Sequence, residues 1–179
     1  TMIEQNPYLL TDRELEIPFS QVDALAIALG VSGDDPQRIE AALIFELDHN
    51  ADNGHVFLPR EKLLAATAAL IGVEGDCLDH GLENLIELGE VVQEDIAGVT
   101  ACYPAGLYAS ESYVAMRLGE MCRAELMPPK GLERIISAIE REQGLTYARQ
   151  QRTAVELAAS RQVMLLTGGP GTGKTTCLR

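Results

Sequence analysis

Apolar residues recur at helical spacing over most of the chain, and this pattern predicts a mainly helical protein. The first amphipathic segment runs from Ser20, a candidate N-cap, to Gly30, a candidate C-terminal stop. Its predicted inward positions are Val22, Leu25, Ala26 and Leu29. A second helix is predicted to begin at Asp35-Pro36, where Asp35 caps the helix and Pro36 suits its first turn. Its predicted inward positions are Ile39, Ala42, Leu43 and Leu47.

The region between residues 55 and 103 combines strand signals with two further helices. Pro59 is expected to open one helix, which ends at Gly72, and Asp76 to open the next, which ends before Gly89. The predicted inward positions of these two helices are Leu63, Leu64, Thr67, Ile71, Leu78, Leu82, Leu85 and Ile86. The strand signals are residues 55–58, 91–96 and 99–103, and the last two are joined at Ala97-Gly98 as a β-hairpin.

Helix, short strand, two helices and a hairpin follow one another in the order of a winged-helix unit. In a DNA-reading version, the helix after Asp76 would enter the major groove. That helix offers Asp79, Glu83 and Glu87 and no lysine or arginine, so DNA phosphates would repel it. We therefore favour a module for packing or protein contacts over a DNA reader.

Two more helices are predicted in the second half of the chain. One begins at Ser110 and stops before Pro128-Pro129, because proline ends a helix. Its apolar face is Val114, Leu118, Met121 and Cys122. The other covers residues 132–142 and stops at Gly144.

Charge is distributed unevenly between the two halves. Residues 1–110 carry 4 basic and 20 acidic side chains, whereas residues 144–179 carry 5 basic and 1 acidic side chain. The first segment therefore has a net charge of −16, which repels a phosphate backbone. We expect weak or no DNA binding by residues 1–110.

Disulfide, metal and membrane signals are weak throughout the sequence. The four cysteines lack C-x-x-C spacing, which indicates free thiols in a reducing compartment. The three histidines do not fall at ligand spacing with them, so surface or turn positions are expected. The sequence has no run of about 18 apolar residues and no signal-peptide pattern, which predicts a cytoplasmic protein.

A phosphate-binding motif stands near the end of the chain. Residues 168–175 match G-x-x-x-x-G-K-[ST] in full. Residues 163–167 before the motif are continuously apolar, as a buried parallel strand should be. A helix is expected to begin near Gly173, whose positive end would face the phosphates.

Each part of the motif suits a nucleoside triphosphate and Mg²⁺. Glycines let the backbone wrap closely and direct successive N–H groups at phosphate oxygens. Lys174, the candidate catalytic residue, is expected to reach the β- and γ-phosphates, and Thr175 to present its hydroxyl to Mg²⁺. Thr176 is placed to help near the α-phosphate. The predicted nucleotide-binding set is Gly168, Gly169, Pro170, Gly171, Thr172, Gly173, Lys174, Thr175 and Thr176.

The end of the chain resembles the RecD-like helicases, the group that includes exodeoxyribonuclease V alpha chains. Residues 166–176, LTGGPGTGKTT, have the form of the P-loop typical of that family. The Gln-Arg-x-Ala-Val pattern at residues 151–155 is similar to the family's Q motif, whose glutamine contacts the adenine edge of ATP. Gln151 is the better match to that glutamine, and Gln150 is the alternative.

Two stretches at the front resemble the same family. Residues 6–10 followed by residues 15–30 resemble the helix-hairpin-helix region ahead of the motor. The family usually has a Gly-x-Gly hairpin at the position of Ile17-Pro18-Phe19, and glycine amides can hold a DNA phosphate. Without them, and with Glu14 and Glu16 adjacent, a scaffold role is expected. Residues 54–61, GHVFLPRE, are similar to the family's next element.

The resemblance implies an ATP-dependent DNA helicase that translocates 5′ to 3′ on single-stranded DNA, unwinds duplexes and contributes to recombinational repair. The expected fold is mainly α with a small β-hairpin: a degenerate helix-hairpin-helix and a winged-helix-like unit, then the first strand and P-loop of a truncated RecA-like α/β domain. The predicted parts are residues 1–33 for the helix-hairpin-helix, 34–110 for the winged-helix-like unit, 111–143 for connecting helices and 144–179 for the ATPase start.

Two alternatives stay open: a noncatalytic accessory module that contacts proteins or braces the motor, and another P-loop ATPase with a helical front end. Hydrolysis also needs an acidic metal-and-water site and an arginine finger. Neither can be placed in the sequence, which continues for five residues beyond Lys174. We therefore expect the 179-residue chain alone to be inactive.

Overall fold

The computed structural model of the chain describes residues 2–12, 15 and 17–177. Glu14 and Glu16, which the sequence places beside the degenerate hairpin, lie outside the described residues. The chain divides into two compact units, residues 1–111 and residues 112–179. Among the described residues, none of the helices combines the length and apolar character needed to cross a membrane.

The first unit consists of helices and a small sheet. Its helices are α1 (Met2–Gln5), a 3₁₀ helix (Pro7–Thr11), α2 (Phe19–Ala28), α3 (Pro36–Asp52), α4 (Arg60–Ile71) and α5 (Asp76–Glu87). Its strands are β1 (Leu58–Pro59), β2 (Val91–Ile96) and β3 (Val99–Pro104). The sheet is antiparallel in the order β1-β3-β2, so a small sheet accompanies a mainly helical fold, as predicted.

Helix α2 begins earlier than the sequence predicts. Its N-cap is Pro18, so the predicted cap at Ser20 is wrong. Phe19 explains the difference, because its ring is buried and stacks on Tyr8 and Phe45 at centroid distances of 6.2 and 5.1 Å. Val22 and Ala26 face the core as predicted, whereas Leu25 and Leu29 are exposed.

Helices α3, α4 and α5 match their predicted starts and inward faces. The Asp35 carboxylate accepts a hydrogen bond from the Gln37 amide at 2.9 Å, and Pro36 occupies the first turn of α3. Gly72 ends α4 in the left-handed conformation, with φ of 68°. The predicted inward positions that are buried are Ile39, Ala42, Leu43, Leu47, Leu63, Thr67, Ile71, Leu78, Leu82 and Leu85. Side chains from the 3₁₀ helix and α2 share this core.

The predicted hairpin is present. Val91 pairs with Pro104 at one end of β2 and β3, and Ile96 pairs with Val99 at the other. The two turn residues, Ala97 and Gly98, both have positive φ, at 53° and 81°, as a two-residue hairpin loop requires. Strand β1 is shorter than predicted and pairs Leu58 with Cys102.

Helix α6 (Ala105–Arg123) begins five residues before the predicted Ser110 and ends in the second unit. The other helices of that unit are α7 (Leu132–Gln143), α8 (Arg149–Ala158) and α9 (Lys174–Cys177). Gly144 ends α7 with φ of 64°, as predicted. Among the described residues of this unit, the buried ones are Ile136, Tyr147 and Ala154.

The strand predicted at residues 163–167 is absent from the structure. Residues 163–169 have no regular secondary structure, and the Leu165 side chain is 88% exposed. A parallel strand needs neighbouring strands to satisfy its backbone groups, and no described strand of the second unit pairs with this segment. The apolar run therefore predicted a strand that these residues do not form here.

Candidate nucleotide-binding site

Residues 168–173 of the predicted phosphate-binding set form a loop that leads into α9, and Lys174, Thr175 and Thr176 lie in that helix. Gly171 and Gly173 have φ values of 74° and 80°, a region that residues with a side chain rarely adopt. The Thr172 hydroxyl donates to the Gly169 carbonyl at 2.9 Å and closes the turn at Pro170-Gly171. Glycine is therefore required at two of the motif positions to give the loop its shape.

Lys174 is the first residue of α9, and its side chain folds back over the loop. Its Nζ donates to the carbonyl oxygens of Gly168 and Gly169 at 2.5 and 2.7 Å. An ammonium group has three N–H donors. These two contacts fix the cation against the glycines of the motif and use two of its three donors.

Thr175 and Thr176 lie in the first turn of α9. The Thr176 amide donates to the Gly173 carbonyl at 3.0 Å, which continues the loop directly into the helix. With Gln143 and Leu145, these threonines line an open cleft. Thr175 and Thr176 thus border one concave surface within the second unit.

Gln151 is in contact with the loop. Its Oε1 accepts a hydrogen bond from the Ala148 amide at 2.8 Å, which caps the start of α8. Its Nε2 donates to the Thr172 carbonyl at 3.2 Å. A Cβ atom at Gly173 would lie only 2.3 Å from that nitrogen, so the glycine also makes room for the glutamine. The structure brings Gln151 and the P-loop together, whereas Gln150 is exposed.

Arg152, beside Gln151, forms ion pairs with α7 that the sequence does not predict. Its guanidinium group contacts carboxylates from two helices: Glu133 and Glu140 of α7, and Glu156 of α8. Hydrogen bonding to Glu133, with the nearby negative charges, raises the pKa of Arg152. The sequence predicts one of these ion-pair partners, Glu156, because it lies four residues after Arg152 on the same helix. The contacts with Glu133 and Glu140 depend on how α7 and α8 pack.

The element at residues 54–61 has a structural role in the first unit. Arg60 donates to Asp79 at 2.7 Å and to Gln93 at 3.0 Å, and it lies 3.6 Å from Glu83. Two of the four acidic side chains on α5, Asp79 and Glu83, are thus engaged with an arginine of the same unit. Arg60 therefore ties the start of α4 to α5 and β2.

No metal site is apparent elsewhere in the described ranges. No group of three or more histidine, cysteine or acidic side chains there is arranged to hold an ion. The four cysteines are free thiols, and burial raises the pKa of Cys102.

Two protein-family models match the chain. Residues 1–57 match the helix-hairpin-helix domain of ATP-dependent RecD2 DNA helicases, and residues 151–179 match an AAA domain. The second match covers both Gln151 and the P-loop. Together the matches support a helicase-family role.

One curated relative aligns along nearly the whole chain. The ATP-dependent RecD2 DNA helicase of Deinococcus radiodurans is 28% identical over 182 aligned residues, which cover 97% of this chain. The alignment covers 25% of the relative, so the chain spans about a quarter of that protein's length. These findings confirm the resemblance to the RecD-like helicases.

Proposed function

We propose that this chain is part of an ATP-dependent DNA helicase and supplies its triphosphate-binding loop. The observation that carries the proposal is the meeting of Gln151 and Lys174 on one glycine-rich loop. Gln151 Nε2 contacts the Thr172 carbonyl, and Lys174 Nζ contacts the Gly168 and Gly169 carbonyls. An ATP-dependent motor needs an amide that reads adenine and a cation that binds phosphate, and Gln151 and Lys174 would supply these two groups at the loop.

The side chains present suit ATP and Mg²⁺. Lys174 supplies a positive charge for the β- and γ-phosphates, and Thr175 supplies a hydroxyl of the kind that coordinates Mg²⁺. Gly171 and Gly173 supply the positive φ values that let the backbone wrap closely around a phosphate. ATP supplies the phosphoryl-transfer chemistry, whereas this chain's residues bind and orient it.

In the proposed motor, Gln151 reads the adenine edge, with Gln150 as the alternative reader. The Gln151 amide has an acceptor and a donor, the pair that an adenine edge requires. Thr176 assists near the α-phosphate. Translocation 5′ to 3′ on single-stranded DNA, a contribution to recombinational repair and a cytoplasmic location belong to the same proposal and rest on the family resemblance.

The proposal is tested by ATP turnover in the full-length motor protein, meaning a polypeptide of the relative's length that contains residues 1–179. Wild type is expected to hydrolyse ATP faster when single-stranded DNA is added. Lys174→Ala removes the cation that stabilises transferring phosphate and is expected to reduce kcat by at least about 100-fold. The measurement is steady-state phosphate release with and without DNA.

Lys130→Ala is the matched control, because Lys130 is an exposed lysine of the same unit outside the loop. It is expected to leave both rates unchanged. Intact wild-type protein that shows no DNA stimulation would contradict the helicase proposal and favour another P-loop ATPase with a helical front end.

We further propose that residues 34–110 form a winged-helix-like unit which braces the motor. The order α3, β1, α4, α5, β2, β3 and the antiparallel hairpin support it. The division into residues 1–33, 34–110, 111–143 and 144–179 belongs to the same proposal. Within it, residues 1–33 are a degenerate helix-hairpin-helix, and 144–179 begin a RecA-like domain.

A noncatalytic protein-contact role for residues 1–110 is the second candidate. The net charge of −16 and the acidic surface of α5 favour it. Such a surface attracts basic protein partners and repels DNA. The two roles are compatible, because an accessory unit can brace a motor and contact a partner.

A further inference from the structure

We propose that Arg152 and Glu140 are positioning residues for the part of the ATP site that receives the nucleoside. They hold the two chain segments that border it. This inference rests on the proposed function of the P-loop. Neither residue touches the loop itself. Their effect is carried by the two segments that they hold: residues 145–148 before α8, and Gln151 on α8.

Glu140 fixes the path of the chain between α7 and α8. Its backbone carbonyl accepts a hydrogen bond from the Leu145 amide at 3.0 Å, just beyond the turn at Gly144. Its carboxylate accepts another from the Tyr147 amide at 2.9 Å. Glu140 therefore fixes the backbone positions of both Leu145 and Tyr147. Leu145 lines the cleft beside Thr175 and Thr176, and Tyr147 is buried.

Arg152 links that carboxylate to α8. Its Nη1 lies 3.4 Å from Glu140 Oε2, its Nη2 is hydrogen-bonded to Glu133, and its Nε lies 3.8 Å from Glu156. The Glu140 side chain is only 14% exposed, so it is better shielded from solvent than an ordinary surface carboxylate. Arg152 compensates that charge and fixes α8 against α7.

Gln151 connects the ion pairs between α7 and α8 to the P-loop. It follows the segment held by Glu140 and precedes Arg152, and its two amide atoms are bonded to Ala148 and Thr172. A rotation of α8 would move Gln151 away from the loop and from the adenine edge that it is proposed to read. The Lys174 ammonium is held by the Gly168 and Gly169 carbonyls of the loop, and neither contact involves a residue of α8.

The expected signature is a loss of base selectivity with little change in the chemical step. In the full-length motor protein, Arg152→Gln is expected to raise KM for ATP by about threefold to tenfold, the size of a weakened polar contact. It should change KM for GTP by less than about twofold, because GTP lacks the adenine edge. The kcat at saturating ATP should change by less than about twofold, because interactions at the phosphates are kept.

Three further variants complete the measurement. Arg152→Lys keeps the charge and is expected to restore part of the selectivity, although it lacks the planar fork. Glu140→Gln keeps an acceptor for Tyr147 but loses the negative charge, and should shift the ATP-to-GTP ratio in the same direction. Arg117→Gln is the matched control, because Arg117 of α6 pairs with Glu120 and lies outside this arrangement.

Different outcomes separate the two proposals. Wild-type protein without ATP turnover would contradict the proposed function. Active wild type that loses turnover in Lys174→Ala, while Arg152→Gln behaves like Arg117→Gln, would contradict the positioning role alone. Equal changes in KM for ATP and GTP in Arg152→Gln would show that the substitution has only a structural effect. That result would also contradict the positioning role. If circular dichroism shows that Arg152→Gln does not fold, the test rests on Arg152→Lys and Glu140→Gln. An unchanged ATP-to-GTP selectivity in both variants would overturn the inference.

Discussion

Arg38 shows how one buried charge organises the first unit. Its guanidinium group forms two hydrogen bonds with the Asp23 carboxylate, at 2.8 and 2.9 Å, and donates to the carbonyls of Gly33 and Ile71 at 2.7 and 3.1 Å. The Tyr8 hydroxyl donates to the same carboxylate at 2.7 Å. Burial and the contact with Asp23 raise the pKa of Tyr8. These contacts join the 3₁₀ helix, α2, α3 and the end of α4.

Asp23→Asn is expected to destabilise the chain because it leaves the Arg38 cation without its counter-charge. Breaking one partner of a largely buried pair costs about 2–4 kcal/mol. The measurement is the free energy of unfolding in urea at neutral pH, followed by circular dichroism. Asp52→Asn, at the exposed end of α3, is the control and should change stability by less than about 0.5 kcal/mol.

This destabilisation should depend on pH. The Arg38 hydrogen bonds hold the pKa of Asp23 below its ordinary value. The carboxylate therefore contributes its full stability above the unfolded pKa of about 4, and loses it as pH falls through the lower folded value. The difference between wild type and Asp23→Asn should be constant near neutrality and shrink below about pH 4. A difference that does not shrink on acidification would exclude Asp23 as the titrating group.

At the scale of the elements, α5 packs against α3 through a position without a side chain. A Cβ atom at Gly81 would lie 2.6 Å from Ile39 Cγ2, closer than side chains tolerate. Ile39, Leu43 and Leu82 are fully buried in the same core. The close approach explains why a glycine stands inside a helix, where its flexibility is otherwise unfavourable.

Gly81→Ala is expected to lower stability by about 1–3 kcal/mol, because overpacking outweighs the gain in helix propensity. Gly106→Ala in α6 is the matched control, since a Cβ atom there meets nothing within 4 Å. The control should be neutral or stabilising by up to about 1 kcal/mol. The free energy of unfolding in urea is measured for both variants. Equal changes in the two would show that the contact between α3 and α5 is not close enough to exclude a Cβ atom at position 81.

Local sequence patterns are sufficient to predict where several helices begin and end. Asp35-Pro36, Gly72 and Gly144 mark helix ends in the sequence, and the structure confirms each of them. They succeed because caps and left-handed stops are determined by a few adjacent residues. Residues 163–167 fail as a strand prediction because a strand is completed by neighbours that are not adjacent in sequence.

At the scale of the whole molecule, charge separates the two ends of the chain. The first 110 residues carry a net charge of −16, and the last 36 carry a net charge of +4. Arg60 compensates part of the acidic surface of α5 and does not reverse it. The acidic end therefore repels nucleic-acid phosphates and attracts basic surfaces.

The 179-residue chain is expected not to bind duplex DNA at about 0.15 M salt, because electrostatic attraction supplies most nonspecific affinity. Fluorescence anisotropy of a labelled duplex, titrated with the chain, measures this directly. Nonspecific binders typically show a Kd of about 1–100 μM under these conditions. Saturable binding tighter than that range, weakened by added salt, would revive α5 as a DNA-reading helix.

The sequence by itself determined the mainly helical pattern, the hairpin, the charge division and the glycine-rich motif at residues 168–175. These features depend on periodicity, turn residues and a contiguous motif. Only the tertiary structure decided that Phe19 begins α2, that Arg38 joins Asp23, and that Gln151 meets Thr172 across 21 positions. The partners of Arg152 on α7 were likewise decided by packing. The physical reason is that a local pattern determines an element and its inward face, whereas contacts between distant residues depend on how complete elements pack.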